Sequence, residues 1–248
     1  MPTSRRTYPF STLILVALTA AVIGSVVTAV VVASPQAASE ASSPTPSTSA
    51  EAFADTAETP TETPAAVPDL ARRIDGDPLA IGALDAPVVM IEYADYRCPF
   101  CSLFARDTLP PLIDSYVADG TLRVEWRDLP LFGEQSINAA IAARAAGEQG
   151  LFWDYQEAVH AAAPDRGHPE LPREQLIAFA AQIGVPDLAA FEQSLDSPAH
   201  AAAIQIDVDE ARALGIAGTP AFLVGAEMIS GAQPLEVFQL AIERQAGR

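Results

Sequence analysis

Cys98 and Cys101, in the stretch YRCPFCS, are the only cysteines of a 248-residue chain. A disulfide between them would close nearly the smallest possible loop, and the entropy gained by crosslinking grows with loop length, so the pair is a poor staple for a fold. A zinc centre wants four ligands. His160, His168 and His200 lie far from the pair in sequence, and none repeats a ligand spacing. Reversible redox chemistry suits a C-x-x-C beside a strand–helix pattern, with a structural pair or a metal site as the alternatives.

The flanking residues give the pair a geometry. Val88 to Tyr93 (VVMIEY) is a short apolar run with β-branched residues and reads as a buried strand. A helical pattern follows from Phe100 to Val117, which Pro110-Pro111 should kink or interrupt. Pro99 suits the first helical turn, where a missing N–H costs nothing. Cys98 then sits at a helix N-terminus, facing unsatisfied N–H groups and the positive end of the dipole. Those groups stabilise a thiolate, and the thiolate is the nucleophile. Cys98 is therefore the expected attacker. Cys101, one turn inside the helix and more buried, resolves.

The composition divides the chain. Between Arg6 and Glu40 there is no charged residue, and Leu13 to Ala33 is an almost continuous apolar run. At ~1.5 Å per residue that run covers roughly the 30 Å of bilayer hydrocarbon. With Arg5 and Arg6 before it and an acidic stretch after it, residues 1–12 are expected in the cytoplasm and the remainder outside. A cleaved signal sequence or a twin-arginine export signal would deliver the chain to the same side. Residues 34–68, rich in Ala, Ser, Thr, Pro and Glu, read as a disordered linker. The globular part is expected over 69–248. The net charge is −18, and all 14 basic residues are arginine. Nothing resembles the clustered bases that nucleic-acid binding needs.

Leu122 to Arg127 predicts a second strand, and 136–214 an alanine-rich block of four or five helices. That block is punctuated at Gly147–Gly150, Pro164–Pro172, Gly184–Pro186 and Ser197-Pro198. Ala221 to Val224 and Glu227 to Ser230 predict a hairpin around Gly225-Ala226, and Pro234 to Gln245 a last helix. Strand, cysteine helix, strand, helical block, hairpin and helix make an α/β fold. Its core is thioredoxin-like with an inserted helical domain, preceded by a transmembrane helix and the linker.

Over nearly its whole length, this globular part resembles the DsbA-like family of exported thiol–disulfide oxidoreductases. The resemblance is carried by PLAIGALDAPVVMIEYADYRCPFC, RVEWRDLPL, SINAAIAARAAGEQGLFWDYQEAV and GIAGTPAFLVG, and suggests the Gram-positive and actinobacterial envelope branch. It implies that Thr219-Pro220 is a cis-proline loop lying against the active-site disulfide and offering backbone to an extended substrate, with Thr219 tuning the redox potential. It also matches Glu92 to a buried acid near the resolving thiol. An inward carboxylate on a buried strand is costly unless it has a task, and this one could take the proton that Cys101 loses; the alternative is that it points outward. Between the cysteines stand Pro99 and Phe100, where the most oxidising members carry Pro-His. Phe100 cannot support the thiolate, and Asp95 offsets the charge of Arg97, so a weaker oxidant is expected.

The function implied is a membrane-tethered dithiol oxidase of exported protein thiols. It would need no cofactor beyond the Cys98–Cys101 disulfide and no metal. Its reoxidant would be a quinone-linked membrane partner of the DsbB or vitamin K epoxide reductase-like kind. An envelope reductase or isomerase is the enzymatic alternative; a non-catalytic binding module of the same fold is the other. No dimerisation module is evident, so a monomer is expected. Tyr93, Phe104, Trp126 and Trp153 are expected in the core, the three histidines at the surface or helix ends, and Glu125 and Asp128 on a solvated acidic edge.

Overall fold

The computed structural model describes residues 69–247. The expected cytoplasmic terminus, membrane span 13–33 and linker lie outside the described residues. Among those described, no helix is long and apolar enough to cross a membrane.

Strand β2 (Val88–Ala94) is buried along its whole length because it is central and covered on both faces. It runs parallel to β3 (Leu122–Asp128) and antiparallel to β4 (Ala221–Val224). Two short strands complete the order β1-β3-β2-β4-β5: β1 is Ala80–Ile81 and β5 is Glu227–Ser230. The sequence reading missed β1, whose two residues are too few to show a period.

Side chains alternate across a strand, so β2 serves two cores. Val88 and Met90 join Leu122, Val124, Phe222 and Val224 on the face covered by the cysteine helix and the C-terminal helix. Val89, Ile91 and Tyr93 join Leu223 and Ala211 on the other face. Glu92 has the parity of Met90, and its register partners are Trp126 and Phe222. It therefore points under the cysteine helix.

That helix is continuous from Pro99 to Val117 but changes pitch. Segments α1 (Pro99–Leu103) and α2 (Leu109–Leu112) alternate with wide turns over Phe104–Thr108 and Ile113–Val117. Leu109 N–H reaches back to Phe104 O, and Ala118 N–H to Ile113 O. Pro110 and Pro111 have no N–H to give, and their rings crowd the preceding turn. Widening the turns before and after them accommodates the rings without ending the helix, so the expected interruption is a local unwinding. Phe104 packs against Phe222 and Phe238 at ring separations of 4.4 and 5.1 Å.

The inserted block holds five helices: α3 (Glu134–Gly147), α4 (Phe152–Ala161), α5 (Arg173–Gln182), α6 (Leu188–Ser194) and α7 (Pro198–Ala213). Helix α8 (Leu235–Gln245) closes the fold, entered through Pro234. Trp126 and both cysteines belong to the core of the inserted block, where it meets the sheet. Trp153 is only partly buried, bridging that core and the one beneath the cysteine helix.

Glu125 and Asp128 are not a solvated edge; both are buried. Glu125 accepts from the backbone N–H of Arg72 and Arg73, each at 2.9 Å, and from the Arg123 and Arg127 side chains. Burial opposes its charge, but these donors outweigh it and bring its pKa down to about 2. Asp128 accepts from Trp126 Nε1 at 2.7 Å and from Arg144, which also grips Asp207. Its pKa is pushed up to about 6 by burial, with the charge of Arg144 opposing. The sequence reading missed this because residues 72–73, Arg144 of α3 and Asp207 of α7 are brought in only by the fold. Removing one partner of such a buried network typically costs about 3–5 kcal/mol.

Candidate active site

Local sequence chemistry places the cysteine pair. Cys98 is the N-cap of α1, in extended backbone conformation with Pro99 behind it, and its own side chain makes no cap bond. Its sulfur is thus left beside the first turn's N–H groups. Cys98 is 2% exposed and Cys101 0%, and both are thiols in the structure.

The two environments pull in opposite directions. The Cys101 thiol is the largest stabiliser of the Cys98 anion; burial opposes, while Thr219 and the backbone N–H groups of Cys101 and Phe100 add support. Together they lower the Cys98 pKa to about 6. Cys101 is pushed well above an ordinary thiol by burial first, then by its contact with Cys98. Glu92 adds a further upward push.

The Thr219–Pro220 bond is cis. Thr219 O accepts from the Cys98 thiol at 3.3 Å, and Thr219 Oγ1 is buried without a partner. A carbonyl favours the protonated sulfur, whereas a free hydroxyl can turn to the anion. Both atoms therefore report on the charge of Cys98. Beyond this loop lies a hollow of about 240 Å³ lined by Ile216, Gly218, Thr219, Pro220 and Met228, among others.

Glu92 is 1% exposed, and neither carboxylate oxygen has a hydrogen-bond partner. Burial alone pushes its pKa up to about 8. A carboxyl in that state is poised to hold or release a proton near neutrality beside Cys101. The outward-pointing alternative is excluded by the sheet parity.

Arg97 and Asp95 do not act as opposed charges on the thiol. The Arg97 guanidinium is committed to Pro169 O at 2.8 Å, Phe132 O at 2.6 Å and, at 3.4 Å, Glu170. The Asp95 carboxylate takes the N–H groups of Arg97, Leu131 and Phe132. Both fasten the cysteine loop to the inserted block. Phe100 is 60% exposed and supplies the site with its backbone N–H alone.

The sequence reading also set His160 at a surface or helix end. It is in the last turn of α4, but 0% exposed. Its ring stacks on Tyr96 at 5.3 Å, and its Nδ1 is 2.9 Å from Ser102 Oγ. His168 is exposed, its ring 4.1 Å from that of Phe132, and His200 is half-buried near Glu148. Among the described residues, no cluster of His, Cys, Asp and Glu could hold a metal ion.

Residues 75–244 match the protein family described as Thioredoxin. The chain is 25% identical over 174 residues to disulfide bond formation protein D of Bacillus subtilis, covering 69% of this chain and 78% of that protein. It is 33% identical over 163 residues to the Na(+)/H(+) antiporter NhaA 3 of Salinispora tropica. That match takes in 65% of this chain and 24% of the antiporter, so the chain spans about a quarter of that relative's length. In fold, the chain is similar to the solved structure of oxidised BdbD from Bacillus subtilis, with a TM-score of 0.64 at 24% identity. That likeness covers 70% of this chain and 94% of the other.

Proposed function

From the premise that this chain belongs to the thioredoxin family, as one of its DsbA-like members, we propose that it is a dithiol oxidase of exported proteins. A client thiolate attacks Cys98 Sγ of the Cys98–Cys101 disulfide and displaces Cys101 as a thiolate. Cys101 takes a proton held by Glu92. The client's second thiolate then attacks its own sulfur in the mixed disulfide and releases Cys98 as a thiolate. Two electrons pass from the client dithiol to the cysteine pair, and the client leaves with a disulfide. The extended client backbone lies along Thr219 and Pro220. The apolar run 13–33 tethers the domain outside the membrane through linker 34–68. A quinone-linked membrane partner of the DsbB or vitamin K epoxide reductase-like kind takes the electrons.

The observation that carries this reading is the stabilised Cys98 anion. An oxidant is a protein whose reduced form is favoured, because a stable thiolate disfavours the disulfide. The folded pKa of about 6 lies below the ~8.5 of an unfolded cysteine. The stabilisation of the reduced form is therefore fully present above pH ~8.5 and is lost as pH falls through about 6. At pH 7 it amounts to about 1.4 kcal/mol. Urea denaturation of both forms should find the reduced protein more stable by about this margin at pH 7, by more at pH 9 and by nothing at pH 5. Phe100→His should widen the gap and raise the potential measured against glutathione, at about 30 mV per 1.4 kcal/mol. An oxidised form clearly more stable at pH 7 would replace the oxidase with a reductase.

A further inference from the structure

The inserted block reaches the first turn of the cysteine helix through one buried polar chain. Ser102 follows Cys98 by one helical turn. Its N–H donates to Cys98 O at 3.1 Å, and its Oγ donates to the same oxygen at 3.3 Å. A hydroxyl that gives its only proton to Cys98 O must accept at its lone pairs. The atom beside it is His160 Nδ1, at 2.9 Å. In that arrangement the ring's proton is on Nδ1, which donates to Ser102.

The rest of the ring's surroundings agrees. His160 Nε2 is buried without a partner. With the proton on Nδ1, that atom is a bare acceptor. The other tautomer would bury an orphan N–H, which folded proteins avoid more strictly than an under-used acceptor, and it would also take the Ser102 proton away from Cys98 O. Burial, and to a smaller extent the charge of Arg106, lowers the His160 pKa to about 3, so the ring stays neutral across the working range. Its position is held from two further sides. Tyr96 stacks on the ring with only 12° between planes, and Arg106 of the cysteine helix donates to His160 O at 3.0 Å.

A buried imidazole with an idle nitrogen is a poor filler of an apolar core, since a leucine would leave nothing unsatisfied. We propose that His160 is a positioning residue for thiol exchange: through Ser102 it pins the Cys98 carbonyl, and so holds the first-turn N–H groups on the Cys98 sulfur. Each bond in the chain points its proton toward the cysteine, so the aligned dipoles also favour negative charge there. The role rests on the dithiol chemistry proposed above, but it concerns how the inserted block sets the nucleophile rather than which way electrons flow.

Titrating the Cys98 thiolate by its absorbance near 240 nm in the full chain tests this. Ser102→Ala and His160→Leu should each raise the Cys98 pKa by roughly half a unit or more. The double variant should move it no further than the larger single change, because the two residues act in one chain. His160→Asn, whose amide nitrogen can stand where Nδ1 stands, should return most of the shift. The equilibrium with glutathione should follow in the same order. Folded variants that titrate like the wild type, or shifts that add in full, would overturn the proposal. If His160→Leu does not fold, Ser102→Ala decides alone, since it removes a single oxygen. A wild-type Cys98 that titrates as an ordinary thiol would instead sink the oxidase reading itself.

Discussion

At pH 6, iodoacetamide should alkylate Cys98 of the reduced protein roughly twentyfold faster than Cys101, or better. With a pKa of about 6, half of Cys98 is thiolate at that pH. Cys101, pushed well above 9, is ionised to less than about one part in a thousand. Ionisation alone favours Cys98 by some five hundredfold. A thiolate of lower pKa is also a weaker nucleophile, but this returns only about half of the advantage on a logarithmic scale. The ionisation term wins, and the deeper burial of Cys101 adds to it. Mass spectrometry of partly labelled protein reads the ratio directly. The same asymmetry governs the variants. Cys101→Ala should accumulate mixed disulfides with thiol-bearing proteins, since nothing is left to resolve them. Cys98→Ala should accumulate none and show no exchange. Equal labelling of the two thiols would contradict the account of Cys98 at the helix terminus.

What the sequence made legible was local. Periodicity and breakers placed β2, the start of the cysteine helix, a block of four or five inserted helices and the β4–β5 hairpin, because each depends on neighbours in the chain. The likeness of GIAGTPAFLVG to a known loop anticipated the cis bond before Pro220. What was not legible depends on segments that meet only in the fold. Glu125 and Asp128 looked solvated because what closes over them, the backbone of Arg72 and Arg73 and the side chain of Arg144, comes from other segments. His160 was the nearer miss. Phe152, Tyr155, Gln156, Val159 and His160 are the buried residues of α4, and their helical spacing already put the histidine on the inward face. Its partner Ser102 could be found only once α4 was known to cross the cysteine helix. The Arg97–Asp95 pair was read as two charges near a thiol. Both are ties between loops, a distinction that distance in sequence does not carry.

Glu92→Gln should alter both the speed of exchange and the pH dependence of stability, and the second effect is the larger in energy. An unfolded glutamate titrates near 4.3, whereas folding raises Glu92 to about 8 by burying it without a partner. The folded state therefore keeps a proton that the unfolded state releases. Its contribution is fully present below pH ~4.3 and is lost as pH rises through about 8. Taken alone, this group should make the wild type roughly 3–4 kcal/mol less stable at pH 7 than at pH 4. Glutamine has no such proton, so the variant's urea midpoint should be flatter over that range in both redox forms. It should overtake the wild type at pH 8, less what the unpaired amide itself costs to bury. Exchange at pH 7 should slow by tenfold or more, because Cys101 must then find its proton in solvent. A stability gain joined to a kinetic loss is what a strained functional group gives. A buried carboxyl of no catalytic use would give the first without the second, and an unchanged exchange rate across the pH range would put Glu92 in that class.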